Sequence, residues 1–151
     1  MKNVTLTSIF ILATVLCFSQ SRFPKNEFSI NGFRNPSIGL EFRHKFVSVH
    51  TGYYMTAFKA EETTKFIKVG ITAWFLPVDK KPIPSSFFAG ASYLRGINRE
   101  YDETNAFSFE AGFRWMIWKG INFRFGAIAV GAKDHSLKVN PAPGVSYSII
   151  L

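Results

Sequence analysis

The chain has 151 residues, a formal net charge of +8, 47% hydrophobic residues and 17% aromatic residues, a size that fits one domain and excludes two ordinary ones. The aromatic content, to which 17 phenylalanines contribute, favours strands over helices, because aromatic side chains fit a pleated surface. The basic residues are dispersed, with Lys80-Lys81 as the only adjacent pair, which argues against a nucleic-acid partner and leaves an anionic membrane surface or an acidic glycan.

The N-terminal segment has the pattern of a cleaved signal peptide. Lys2 precedes a mostly apolar run over residues 4–18, which is near the length of a signal-peptide core and short for a membrane-spanning helix. The small residue Ser19 ends the run. We therefore expect residues 1–19 to be removed and residues 20–151 to form one mature domain, with a retained anchor helix as the alternative.

Short alternating segments separated by turn residues follow, which is the sequence pattern of an all-β protein. The clearest segment runs from Phe107 to Ile117, where apolar residues occupy every second position. A period of two over eleven residues indicates a strand. Eight strands are predicted, at residues 27–34, 37–44, 46–57, 65–76, 87–97, 106–117, 121–133 and 144–151.

The seventh predicted strand departs from simple alternation. Asn122 and Arg124 assign the even-numbered positions to the polar face, but the apolar residues Ile128 and Val130 occupy even-numbered positions too. One extra residue in a strand exchanges its two faces. The sequence therefore predicts a β-bulge near Gly126.

The polar faces of the predicted strands carry little charge, and many of their other positions are Gly, Ser or Thr. A water-facing surface usually carries more Lys and Glu, whereas small polar residues suit the narrow lumen of a barrel. The charged residues are predicted to form ion pairs inside the lumen, because an unpaired buried charge costs several kcal/mol; a polar pore is the alternative. This predicted lumen network consists of Glu41, Arg43, Lys68, Glu110, Arg114 and Arg124.

Bulky aromatic residues lie near the predicted strand ends, as an aromatic girdle at a membrane interface requires. Together with the signal peptide and the charge-poor polar faces, they favour a single antiparallel up-and-down transmembrane β-barrel. The alternative is a soluble periplasmic lipocalin-like binding barrel, in which the two faces would be exchanged. The predicted girdle consists of Tyr53, Trp74, Phe75, Phe87, Trp115 and Trp118.

Short and long connections alternate along the predicted strands, as in outer-membrane barrels, where the short turns are periplasmic. Tight turns are expected at residues 44–45 and 118–120. The connection of residues 77–86, with three prolines, does not fit this alternation. Longer polar loops are expected at residues 58–64, 98–105 and 134–143.

The signal peptide, the eight alternating strands and the ending Tyr147-Ser148-Ile149-Ile150-Leu151 resemble small outer-membrane β-barrel proteins of the OmpA/OmpX-like and general outer-membrane β-barrel domain families. The resemblance covers nearly the whole mature chain, and the Ser19-Gln20 junction is similar to those of Bacteroidetes. Leu151 and Ser146 stand where these families usually carry a terminal aromatic residue and a glycine.

This resemblance implies a location in the outer membrane of a Gram-negative bacterium and contact with its lipid and lipopolysaccharide. It also implies insertion by the barrel-assembly machinery. We expect a monomer with a structural or surface-interaction role, which is not an enzyme.

Three residues of the second and third predicted strands suggest an alternative function. A two-residue turn at 44–45 would place Glu41 opposite Ser48 and next to His50, and such a set can activate a serine nucleophile. Lipid A deacylases use a similar triad, which makes a lipid A-modifying esterase the alternative. Their motif is His-x-Ser on a lipid-facing surface, whereas here Ser48-x-His50 lies on the predicted lumen face. A hydrogen-bonded network is therefore the favoured interpretation.

No metal site or cofactor is predicted. The three histidines are separated, and the sequence contains no Gly-x-Gly-x-x-Gly phosphate loop. The single cysteine, Cys17, falls within the predicted signal peptide, so the mature domain is expected to have neither a disulfide nor a thiolate ligand.

Overall fold

The computed structural model describes residues 23–33, 37–59 and 62–151; the predicted signal peptide lies outside them. A single turn of 3-10 helix spans Arg99–Tyr101. Within these residues, no helix is long and apolar enough to cross a bilayer. The strands are β1 (Asn26–Gly32), β2 (Ile38–His44), β3 (Val47–Lys59), β4 (Glu62–Phe75), β5 (Ser86–Gly96), β6 (Asn105–Trp118), β7 (Ile121–Ala132), β8 (His135–Pro141) and β9 (Gly144–Ile150).

The strands form one closed antiparallel barrel with eight positions around its wall. Each strand from β1 to β7 pairs with the next along the chain. Strand β9 pairs with β7 and with β1 and so closes the wall. Strands β8 and β9 share the eighth position, because β9 pairs with residues 121–124 of β7 and β8 with residues further along β7. The predicted all-β, eight-stranded antiparallel barrel is confirmed.

The two ends of the barrel differ in their connections. The start of β1, the end of β9, the turns at residues 45–46 and 119–120 and the connection of residues 76–85 lie at one end, which we call the terminus end. In the turn before β7, both Lys119 and Gly120 have positive φ angles, of 39° and 95°, as a tight hairpin turn requires. At the other end, which we call the loop end, strands β1, β3, β5 and β7 finish, whereas the connection between β8 and β9 lies partway along the wall.

Two of the three predicted long loops are wrong. Strands β3 and β4 extend to Lys59 and from Glu62, and β8 occupies most of residues 134–143. These segments look like loops because they are polar. However, the first turn-side residues of β4 after Glu62 are Thr63 and Thr64, and β8 contains Val139, and such β-branched residues suit strands. The predicted loop at 98–105 agrees with the connection between β5 and β6.

The polar face of each strand points inward. In β2, Gly39, Glu41 and Arg43 are buried, whereas the residues between them are exposed. The outer surface is correspondingly apolar, and the exposed fractions of Val69 and Ile71 on β4 are 51% and 58%. Further exposed apolar side chains on the outer surface include Leu40, Phe42, Val49, Ile67, Phe107, Phe109, Phe125 and Ile149.

The predicted bulge near Gly126 is wrong. Gly126 pairs directly with Gly112 of β6 in unbroken register, so Arg124, Ile128 and Val130 all face inward. They differ in polarity because the lumen itself changes from charged near the terminus end to apolar near the loop end. We call this second part the apolar layer; it contains Tyr54, Phe66, Leu94, Tyr101, Ala106, Ile128, Val130 and Ala142.

The connection of residues 76–85 covers the terminus end of the lumen. Its residues Ile83, Pro84 and Ser85 are buried. Arg114 donates a hydrogen bond to the carbonyl oxygen of Pro84 at 3.1 Å, and the hydroxyl of Ser85 accepts one from the backbone N–H of Met116 at 3.0 Å. The connection is long because it forms this cap, which explains its departure from the alternation of short and long connections.

Candidate functional site

The most densely charged part of the lumen is centred on Glu27 of β1. Its carboxylate forms ion pairs with Arg43 of β2 and with Arg114 of β6, where Oε1 and Nη1 are 2.6 Å apart. All three side chains are no more than 2% exposed. Burial strengthens the interaction between charges and also raises the free-energy cost of a charge without a partner. Removing the carboxylate would therefore leave two buried guanidinium groups without that partner.

A second carboxylate, Glu41, lies beside this group. Its Oε2 is 2.6 Å from Nη2 of Arg124 on β7 and accepts a hydrogen bond from the side-chain amide of Asn31 at 3.3 Å. Its Oε1 accepts a hydrogen bond from the hydroxyl of Ser48 at 2.5 Å. This carboxylate therefore connects β1, β2, β3 and β7 through the lumen.

Lys68 of β4 and Glu110 of β6 form a third ion pair, with Nζ and Oε2 2.8 Å apart. The structure thus places all six residues of the predicted lumen network inside the barrel and pairs each with an opposite charge. We call these six residues, together with Glu27, the ionic layer.

Trp74 of β4 lies at the centre of the ionic layer. Its ring centroid is 4.3 Å from the guanidinium carbon of Arg114, 5.0 Å from that of Arg124 and 5.6 Å from that of Arg43. Its indole N–H donates a hydrogen bond to Ser48 at 2.8 Å. Stacking of cations on an indole face is favourable, more so where water is excluded. Trp74 therefore contacts three guanidinium groups at once.

The assignment of Trp74 to the aromatic girdle is therefore wrong. Trp74 is fully buried, because it shares the inward parity of Lys68 and Thr72. Its position near the end of a strand suggested an interface, but parity decides which way a strand residue points. The other girdle residues, Tyr53, Phe75, Phe87, Trp115 and Trp118, are partly or largely exposed on the outer surface.

The candidate catalytic set is not assembled as predicted. Glu41 pairs with His50 rather than with Ser48, because His44 still belongs to β2 and the turn consists of residues 45–46. The ring nitrogens of His50 contact the hydroxyls of Ser92 at 3.0 Å and Thr72 at 3.2 Å. The Ser48 hydroxyl contacts Glu41 and Trp74 instead. The three residues share the lumen, but Ser48 and His50 are not hydrogen-bonded to each other.

Sequence reasoning missed Glu27, which forms two ion pairs in the ionic layer. It stands at the start of a predicted strand, where a charged residue usually reaches solvent. The available signal was parity, because Glu27 lies two residues before Ser29 and four before Asn31, and all three are buried.

A small cavity lies among the polar side chains of the lumen. The described lumen contains a cavity of about 10 Å³ between His50, Lys68, Glu110 and Arg124, room for about one water molecule. Within the described part of the chain, no group of three or more His, Cys, Asp or Glu residues is arranged to hold a metal ion.

Comparisons with models of protein families, with curated proteins and with solved structures found no match. The function must therefore be inferred from the geometry of the barrel.

Proposed function

We propose that this barrel spans the outer membrane of a Gram-negative bacterium and has a structural or surface-interaction role, with the terminus end toward the periplasm. The observation that carries the proposal is the distribution of polarity. Ionised side chains fill part of the lumen, whereas large apolar side chains cover the outside.

The outer surface has the properties of a lipid-facing belt. On β4, the outward positions from Ile67 to Phe75 are all apolar, which at ordinary strand rise and tilt corresponds to a belt about 20 Å tall. Soluble monomers rarely expose continuous apolar surface of this extent. A bilayer would bury this surface and so account for its composition.

The lumen favours the membrane barrel over the soluble binding barrel. A lipocalin-like protein needs an apolar cavity that admits a ligand. Here the described residues of the apolar layer pack against one another, and the cavity beside the described ionic layer has room for about one water molecule. A packed, partly ionised lumen instead matches an eight-stranded membrane barrel.

The loop end is where contacts with other molecules are expected. Tyr101 packs against Phe66 and His135, with ring centroids 5.3 Å and 4.2 Å apart, so the loop between β5 and β6 covers the apolar layer. The same loop presents exposed Asp102 and Glu103 to solvent. This surface is our proposed site of contact with lipopolysaccharide or another protein.

A pair of substitutions tests the membrane location. Ile71 on β4 and Val78 in the cap are each 58% exposed, but only Ile71 lies in the proposed belt. In a bilayer, Ile71→Lys should cost about 2–4 kcal/mol of unfolding free energy, as charges do near the midplane of a membrane barrel, whereas Val78→Lys should cost little. In a soluble protein, the two variants should behave alike.

The measurement is expression of the full chain in a Gram-negative host, fractionation, and comparison of gel mobility before and after boiling. Recovery in the outer membrane with a heat-dependent mobility shift, reduced in Ile71→Lys alone, is expected. Recovery of the wild type in the soluble periplasmic fraction would contradict the proposal.

A further inference from the structure

We propose that a cleft at the terminus end binds an anionic phospholipid, with the headgroup phosphate on Lys81 and Lys119 and an acyl chain along the apolar wall. The proposal rests on the proposed membrane location, because it requires that this end meet a leaflet.

The cleft lies between the cap, the end of β6 and β9. Its volume is about 550 Å³, within the range of ligand-binding clefts. Ile83 of the cap, Ile117 and Trp118 of β6, and Tyr147 and Ile149 of β9 form much of its wall. All of these except Ile83 are also exposed on the outer surface, so the cleft is continuous with the apolar belt and open to a lipid chain.

Two ammonium groups stand at this cleft. Nζ of Lys119 is 4.9 Å from the ring centroid of Trp118. Nζ of Lys81 donates a hydrogen bond to the carbonyl oxygen of Met116 and lies 3.6 Å from Oδ2 of Asp79. The Lys81 side chain is 45% exposed, and an ion pair exposed to this degree is weak. Both ammonium groups can therefore donate further hydrogen bonds to a phosphate.

The surrounding surface is also positively charged. Among the described residues of the terminus end, Asp79 is the one side-chain carboxylate outside the lumen. The loop end, in contrast, mixes acidic and basic residues. This asymmetry favours an anionic over a zwitterionic headgroup, because basic residues near a membrane surface attract anionic lipids. The exposed lysines of the terminus end are Lys25, Lys45, Lys80, Lys81 and Lys119.

Quenching by brominated lipids tests this site, because bromine on an acyl chain quenches a tryptophan that it touches. A Trp115→Phe background leaves Trp118, at the cleft, and Trp74, shielded in the lumen. The protein is reconstituted in phosphatidylcholine vesicles with a minor fraction of brominated phosphatidylglycerol or brominated phosphatidylcholine. We expect stronger quenching by the phosphatidylglycerol.

The decisive comparison is between two double variants, each of which removes two lysine charges from the terminus end, one pair inside the cleft and one pair outside it. Lys81→Gln/Lys119→Gln should lower the preference for phosphatidylglycerol roughly five-fold per lysine. Lys25→Gln/Lys45→Gln should lower it clearly less, because these two lysines lie outside the cleft. The heat-dependent mobility shift of each variant shows that it has folded.

Four results would overturn the cleft. They are equal quenching of the wild type by both lipids, equal loss of preference in the two double variants, loss of preference on adding inorganic phosphate, and failure of the protein to insert. Equal loss in the two double variants would mean that the lipid preference comes from the overall positive charge of this end. Loss on adding inorganic phosphate would mean that the two lysines bind a free anion rather than a lipid headgroup. Failure to insert into phosphatidylcholine overturns the proposed function as well, whereas insertion without lipid preference overturns the cleft alone.

Discussion

The carboxylate of Glu27 on β1 reaches the guanidinium of Arg114 on β6, 87 positions away in the sequence, with 2.6 Å between Oε1 and Nη1. Strands β9 and β7 lie between them in the wall, so the ion pair crosses the lumen. The same carboxylate holds Arg43 on the neighbouring strand β2. One side chain therefore links parts of the wall that share no backbone hydrogen bonds.

Replacing Glu27 with Gln should destabilise the barrel by about 3–5 kcal/mol, because two buried guanidinium groups lose their carboxylate. The measurement is equilibrium unfolding by urea, followed by the mobility shift. Glu103→Gln, at an exposed position of the loop end, is the control and should change little. Equal midpoints for the two variants would contradict the central role of Glu27.

Trp74→Phe should lower the free energy of unfolding by about 1–3 kcal/mol, because phenylalanine lacks the N–H that donates to Ser48 and stacks less favourably on cations. Trp115→Phe, which changes an outward ring that is 51% exposed, should cost less. The same urea titration compares the two. A larger loss for Trp115→Phe would show that the outer ring matters more than the one among the guanidinium groups.

Gly112→Ala should destabilise the barrel by about 1–3 kcal/mol through overpacking. A Cβ atom at Gly112 would lie 2.2 Å from the carbonyl oxygen of Phe125 and 2.8 Å from Cα of Gly126, both backbone atoms of the paired strand. At Gly131, a Cβ would meet only the end of the Leu137 side chain, at 3.6 Å. Gly131→Ala should therefore be tolerated, and a loss equal to that of Gly112→Ala would disprove the steric explanation.

Leu94→Ala should cost about 2–5 kcal/mol, because Leu94 is fully buried in the apolar layer and its truncation leaves a cavity. Val69→Ala on the outer surface serves as the comparison, and its effect should be clearly smaller. Urea unfolding in micelles checks both variants. A tolerated Leu94→Ala would mean that the layer is loosely packed.

The cap should depend on pH through Asp79. Burial raises the pKa of this carboxyl, but hydrogen bonds from the Ser85 hydroxyl and from the backbone N–H groups of Lys81 and Ser85, with the charge of Lys81, outweigh burial and lower the pKa below its ordinary value of 3.8. A lowered pKa stabilises the folded state above the ordinary value, and this contribution disappears as the pH falls through the lowered one.

The difference in unfolding free energy between the wild type and Asp79→Asn should therefore be constant near neutral pH and shrink as the pH falls below about 4. Measuring the difference between the two proteins cancels the titration of the buried carboxylates that both contain. A difference that grows on acidification would show that the sign is wrong.

Parity along each strand was enough to place Arg114 and Glu41 on the polar faces, because strand side chains alternate regardless of their neighbours. The low charge of those faces then predicted that they point inward. Parity does not reveal how the lumen changes in polarity along the barrel axis. Ile128 and Val130 looked misplaced beside Arg124 only on the assumption that the whole lumen is polar.

Contacts between distant strands were also beyond sequence reasoning. The pairing of Glu41 with Arg124 depends on closure of the barrel, and the position of Ser48 depends on whether the turn begins at residue 44 or 45. A change of one residue in a turn moves every pair of the hairpin, and nothing local in the sequence decides it.

The joint between β1 and β9 brings together the first and the last strand that the structure describes. Until those two strands meet, β1 and β9 each keep an edge of unsatisfied backbone groups, and such edges promote association with other chains. The cross-lumen ion pairs also lack their partners before closure. Partly formed walls should therefore be short-lived and prone to aggregate, and folding should approach a single cooperative event that depends on the C-terminal strand.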